Sequence, residues 1–175
     1  RQILSKGGRK RRAKRFIYFG RRSGRNLVLY KWGYKLMTMI IEMLRKHEGV
    51  ETHAYKCTAE KITIGVGRNI DPAGGIGLSD SEINLLLSND VARVNKELLL
   101  TFSWFAELDE VRKDCMVNIC FQLGLPRLKK FKKSLAYMAN GDFDLAADEF
   151  LDSNWASQTP ARANEITEMI RSGDY

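Results

Sequence analysis

Ser79-Asp80-Ser81-Glu82 opens the longest periodic stretch of the chain, and that stretch limits what the rest can build. In a Ser-x-x-Glu box, the serine oxygen and the glutamate carboxylate satisfy amide donors that the first turn of a helix leaves without partners. Ile83, Leu86, Leu87, Val91, Val94 and Leu98 then share one side of a helix predicted to run to about Leu100. Before it, Lys61-Ile62-Thr63-Ile64-Gly65-Val66-Gly67 is a β-branched run with the alternation of a strand. The loop Asp71–Gly77, rich in glycine, follows that run. Further upstream, Thr38 to Lys46 reads as a short helix with Ile40, Ile41 and Leu44 on one side, stopped by Gly49. After the long helix come only helical segments. One covers about Asp109 to Leu123 and ends at Gly124; the next covers Leu128 to Met138 and stops at Asn140-Gly141. Asp142 is expected to cap a segment with Phe143, Ala146, Ala147, Phe150 and Leu151 inward. Thr159-Pro160, a capping threonine before a proline at the first helical position, opens a last helix to about Arg171, closed by Gly173. The fold class is therefore α+β, mostly α: a small β-hairpin or sheet lobe over about 48–78, joined by the long helix to a helical lobe over about 96–175. A groove between two lobes is the default place for an extended ligand.

The charge is divided unevenly. Residues 1–36 hold 13 Lys or Arg and no acid, whereas the remaining 139 hold 16 bases and 21 acids, a net of −5. Such asymmetry marks an extension that meets polyanions. Its cations alternate with apolar and aromatic clusters, Phe16 to Phe19 and Leu27 to Tyr34, which suit lipopolysaccharide or an anionic membrane surface as well as nucleic acid. Met37 is read as the start of the body, leaving 1–36 as either a native extension or a fused cationic peptide. No stretch approaches the roughly 18 apolar residues of a membrane span. No apolar core of a secretory signal follows the basic N-terminus. Cys57, Cys115 and Cys120 do not make a disulfide framework, and Cys115 and Cys120 read as small core residues. Two histidines, His47 and His53, without metal-ligand spacing, give no expected metal and no expected cofactor. The chain is expected to be monomeric.

Three residues carry candidate chemistry. Glu48 ends the first predicted helix, Cys57 lies nine residues on and Thr63 six beyond that. Cleavage of a glycosidic bond needs an acid on the leaving oxygen and, on the far face of the sugar, a group that stabilises an oxocarbenium-like transition state or places a water. A carboxyl group withdrawn from water keeps its proton at neutral pH and serves as that acid. A threonine on a strand can orient a water. Taken alone the three residues are weak, because helix-terminal glutamates are mostly solvated and strand threonines mostly serve β propensity.

Five dispersed pieces sharpen the reading: "EMLRKHEG" at 42–49, "AYKCTAEKITIGVGR" at 54–68, "LSDSEINLLLSNDV" at 78–91, "FQLG" at 121–124 and "NWASQTPARA" at 154–163. In this order they make the body, 37–175, resemble the phage lysozyme family, the muramidases of the T-even-phage type. The resemblance implies a lysozyme-like two-lobed fold and hydrolysis of the β-1,4 link between N-acetylmuramic acid and N-acetylglucosamine in bacterial peptidoglycan, as an endolysin. It implies Glu48 as general acid and Thr63 as the residue that positions water. Cys57 stands where many members carry aspartate. A free thiol titrates near about 8.5, so three roles stay open for it: thiolate stabiliser, neutral partner of the water, or covalent nucleophile. Gln122 matches a glutamine near bound saccharide. Arg162 matches an arginine near the active-site face or one that pins the final helix, and Arg68 stands where well-known members carry histidine. The loop before Leu78 is short for the family, so a glycine-rich flap is expected in place of a helix. Trp155 is expected in the helical core. Such a body would gather in the host cytoplasm and reach the wall through a separate membrane pore. The competing class is a non-catalytic module that grips wall glycan or another polyanion.

Overall fold

The computed structural model describes residues 37–175; the cationic extension 1–36, with its expected polyanion contact, lies outside the described residues. The described residues divide into two compact units that meet at the Gly77–Leu78 boundary in the sequence. Among the described residues no helix is long and apolar enough to cross a membrane.

The first unit holds helix α1 over 37–48 and a three-stranded antiparallel sheet in the order β1-β2-β3. α1 runs two residues past Lys46, then Gly49 takes a φ of 76°, a conformation that a Cβ disfavours. Ile40, Ile41 and Leu44 stand exposed on it. The β-branched run forms β2 (Ile62–Gly65), followed by β3 (Arg68–Asn69). Strand β1 (Glu51–Lys56) is new: Glu-Thr-His-Ala-Tyr-Lys lacks the apolar alternation of a half-buried strand. Its partner imposes the extended form, with Tyr55 opposite Thr63, Lys56 opposite Ile62 and a register shift between Glu51 and Tyr55.

The loop after β3 is knotted around one carboxylate. Asp71 accepts hydrogen bonds from the amides of Ile62 (3.2 Å) and Ala73 (2.9 Å) and pairs with Lys61 at 3.7 Å. The Ala73 and Ile62 amides, helped by Lys61, hold its carboxyl below the usual carboxylate range. Gly75 closes the knot: a Cβ there would meet Asp71 N at 2.5 Å and Asn69 Oδ1 at 2.7 Å. Between Asp71 and Leu78 no helix forms, as expected of a glycine-rich flap.

The second unit begins at α2 (Asp80–Thr101), a helix about 33 Å long. Its capping box is complete: the Ser79 amide donates to Glu82 Oε2 at 2.8 Å and Ser79 Oγ accepts from the Glu82 amide. Burial differs along it. Val94 and Leu98 are buried, while Ile83, Leu86, Leu87 and Val91 are exposed. A 3-10 turn (Ser103–Glu107) leads into α3 (Glu110–Leu123), α4 (Leu125–Leu128), α5 (Lys132–Asn140), α6 (Phe143–Leu151), α7 (Asn154–Gln158) and α8 (Pro160–Ser172). The core runs through them: Leu98, Phe105, Met116, Ile119, Leu128, Met138, Phe150 and Ile170 are fully buried. Cys115 and Cys120 lie in it, and Trp155 packs edge-on to Phe150 with ring centroids 6.3 Å apart. The chain is thus mostly helical with a small antiparallel sheet, the α+β class that the patterning predicts.

Three local expectations are corrected. The segment Leu128 to Met138 is not one helix; it breaks between α4 and α5, because Phe131 leaves helical geometry (ψ 55°) to bring its ring to Phe150, 5.6 Å between centroids. Asp142 sits at the cap position of α6 but makes no capping bond. Thr159 precedes α8 without capping it, since its hydroxyl turns back to donate to Trp155 O at 3.0 Å, a terminal carbonyl of α7.

Arg112 ties α3 to the end of α8. From α3 its Nε donates to Ile170 O (2.7 Å) and its Nη2 to Arg171 O (2.8 Å), carbonyls that the end of α8 cannot satisfy internally. Nη1 pairs with Asp109 at 2.6 Å, and the guanidinium lies 3.8 Å from the Phe143 ring centroid. The side chain is 13% exposed, so water replaces these bonds poorly. Arg112→Met should cost about 2–3 kcal/mol of stability, read as a lower urea midpoint at constant slope. An unchanged midpoint would show the clasp to be idle.

Candidate active site

Cys57 follows β1 and opens the turn to β2. Its amide donates to Lys61 O at 3.0 Å, and its carbonyl accepts from the Glu60 amide at 2.9 Å. Closing so short a turn puts Glu60 at φ 57°, the one non-glycine residue with positive φ among the described residues. The amides of Ala59 and Lys61 hold the Cys57 thiol below its ordinary value; partial burial opposes them, and the Thr63 hydroxyl adds to the lowering. An aspartate opening such a turn would accept backbone amides through its carboxylate, so the cysteine stands where a carboxylate would suit the turn.

Thr63 is buried on β2, opposite Tyr55 on one side and Asn69 on the other. Its Oγ1 donates to Lys61 O at 3.1 Å. The same hydroxyl adds to the lowering of the Cys57 thiol. The hydroxyl's lone pairs remain able to accept from a water.

Glu48 is the last residue of α1, joined to β1 by Gly49 and Val50. It is exposed and makes no hydrogen bond or ion pair among the described residues. The hairpin therefore brings Cys57 and Thr63 together at its turn, whereas Glu48 enters at the opposite end, where Glu51 pairs with Gly65. Arg68, on β3, donates from Nε to Gly77 O at 2.8 Å and so holds the end of the flap.

The other two predicted residues lie in the second unit and are tied to partners. Gln122, exposed near the end of α3, accepts from Trp155 Nε1 at 2.9 Å, which satisfies the indole donor of a buried ring. Arg162 donates to Asn118 Oδ1 from Nε (2.9 Å) and Nη2 (2.6 Å), pinning α8 to α3. Asn118 escaped the sequence reading. Its signal was there: it precedes Gln122 by four residues, one helical turn on the same face.

A family model for phage lysozyme matches residues 45–167, a span that contains Glu48, Cys57, Thr63, Arg68, Gln122 and Arg162. The chain belongs to the phage lysozyme family. Two relatives from Dictyostelium discoideum are similar along nearly their whole length. Probable T4-type lysozyme 2 is 31% identical over 164 residues, covering 79% of this chain and 96% of that protein. Probable T4-type lysozyme 1 is 27% identical over 166 residues, with the same shares. The pre-baseplate central spike protein Gp5 of Enterobacteria phage T4 is 27% identical over 159 residues, covering 76% of this chain but 28% of that protein. Within this family the chain carries a cysteine whose turn lowers the thiol.

The three cysteines of this phage lysozyme family member should separate by reactivity. Burial pushes the Cys115 thiol up to about 12 and raises that of Cys120, against the lowering at Cys57. Since the thiolate is what alkylates, iodoacetamide at neutral pH should modify Cys57 first, as mapped by peptide mass spectrometry. Thr63→Val should move the pH midpoint of that reaction upward. Faster labelling of Cys115 or Cys120 would contradict the turn's role.

Proposed function

We infer that the chain is a muramidase that hydrolyses the β-1,4 bond between N-acetylmuramic acid and N-acetylglucosamine in bacterial peptidoglycan. Membership of the phage lysozyme family supports the reaction class. The observation that carries the reading is the Cys57 turn: backbone amides that favour a negative charge, beside a threonine hydroxyl, six residues apart at one end of a hairpin. Glu48 acts as general acid and gives its proton to the bridging oxygen. On the far face of the sugar the Cys57 thiolate opposes the developing positive charge, and Thr63 accepts a hydrogen bond from the attacking water. Gln122, with its oxygen held by Trp155, offers its NH₂ group to a sugar oxygen or carbonyl.

The thiolate fraction rises as pH climbs through the lowered Cys57 value, so the sulfur's contribution to activity should grow as pH rises across that value.

Clearing of a peptidoglycan suspension tests the roles. Glu48→Gln should slow it by about a hundredfold or more, the usual worth of a positioned general acid. Equal clearing by wild type and Glu48→Gln would leave a wall-binding module without catalysis. Cys57→Asp should retain part of the activity and extend it to lower pH, because a carboxylate stays charged there; Cys57→Ala should lose most of it. Near-full activity of Cys57→Ala would remove the sulfur from the mechanism.

Residues 1–36 add surface capture in this reading. Deleting them should leave clearing of purified wall nearly unchanged and reduce killing of intact Gram-negative cells. Loss of activity on purified wall would make the extension part of the catalytic fold.

A further inference from the structure

Outside the candidate site, one surface concentrates charge of a single sign. In Leu125-Pro126-Arg127-Leu128-Lys129-Lys130-Phe131-Lys132-Lys133, five of nine residues are cationic, and none is acidic. The apolar members are spent on packing: Leu128 is fully buried, and Phe131 is half-buried against Phe150. Fixing Leu125, Leu128 and Phe131 inward, three residues apart, turns all five cations outward, and each is exposed. Only Lys133 has a carboxylate, Glu149 at 3.1 Å; among the described residues Arg127, Lys129, Lys130 and Lys132 make no ion pair. Arg127, Lys130, Lys132 and Lys133 line a depression of about 690 Å³ together with Glu149 and Asp152.

This arrangement works against local stability. Lys132 and Lys133 occupy the first turn of α5, where the helix dipole disfavours positive charge; that turn holds no acid and no side-chain cap, and Glu149 offsets Lys133 alone. Four unpaired cations within six residues also repel one another. A sequence keeps such a conflict where something outside the fold uses it. The rest of 37–175 is acidic, so general polyanion attraction does not explain the cluster.

We propose that Arg127, Lys129, Lys130 and Lys132 form a contact site for phosphate-bearing lipid headgroups, on the folded body and separate from the 1–36 extension. Lysine supplies mobile point charges on long stems, which fit a fluid array of phosphates. Nucleic acid is the weaker match: Phe131, the aromatic ring within the cluster, faces the core and gives no stacking platform. A protein partner is also disfavoured, since lysine is depleted at protein interfaces. The site does not depend on the glycosidase reading, and its test uses no activity measurement.

Full-length protein is pulse-acetylated with and without vesicles of phosphatidylglycerol and phosphatidylcholine in equal parts, and each lysine is quantified by mass spectrometry. Lys129, Lys130 and Lys132 should acetylate about threefold or more slowly on the anionic vesicles, while Lys96, exposed on α2, keeps its rate. Vesicles of phosphatidylcholine alone should protect none of them. The variant R127Q/K129Q/K130Q/K132Q, checked for native circular dichroism, should bind the anionic vesicles more weakly and with a shallower salt dependence. Unchanged rates at the three lysines, or equal slowing at Lys96, would overturn the proposal. So would protection by duplex DNA without protection by vesicles, which would assign the cluster to nucleic acid.

Discussion

A short hairpin turn must do something with its amides, and in this chain that need shapes the candidate site. Between Lys56 and Ile62 the backbone reverses within five residues, at the expense of a left-handed Glu60. The turn is closed by the Cys57 backbone, and its Ala59 and Lys61 amides favour negative charge on the sulfur, so the path that folds the hairpin also biases the charge of the side chain. A carboxylate here would be ionised across the whole neutral range. A thiol makes the charge conditional, present above a lowered pKa and absent below it. Thr63, which donates to the Lys61 carbonyl, also adds to the lowering of that thiol.

In the second unit, α3 plays the corresponding organising part. Three side chains tie it to the C-terminal helices: Arg112 to the last carbonyls of α8, Asn118 to Arg162 and Gln122 to Trp155. The first tether closes a helix end. The other two lie one turn apart on a polar edge of a helix whose other side, Cys115, Met116, Ile119 and Cys120, is buried in the core. An amide and a guanidinium held by such bonds lose little further freedom when they meet a ligand, so the bonds that stabilise the fold also preorganise polar groups.

Much of this was legible in the sequence because its signals are local. Gly124, Gly141 and Gly173 all take positive φ at helix ends, and the Ser79–Glu82 box forms as its spacing demands. What was not legible depends on partners distant in sequence or on competition for one hydroxyl. β1 has no strand signal of its own and is extended because β2 pairs with it. The break between α4 and α5 falls among lysines, which are good helix formers; a ring seeking Phe150 overrides them. Thr159 has the right identity for a cap, but the carbonyl of Trp155 lies within reach and takes its proton. At the site, residue identity could nominate Glu48, Cys57 and Thr63, yet nothing in the spacing could say that amides of Ala59 and Lys61 would lower the thiol. That follows only from the path of the turn.

The charge map adds a constraint on range. Without the five cations at 127–133, residues 37–175 would carry 11 bases against 21 acids, and such a body is repelled at long range by any acidic surface. Screening confines that repulsion to about 8–10 Å at physiological salt. A compact patch held on a helical turn therefore cannot steer the molecule from afar; it acts once contact is made. The 13 cations of the 1–36 extension differ in being spread along a much longer stretch of chain. A net charge of +8 for the whole chain conceals two separate concentrations of cations, 13 in residues 1–36 and five in residues 127–133, around an otherwise acidic sequence.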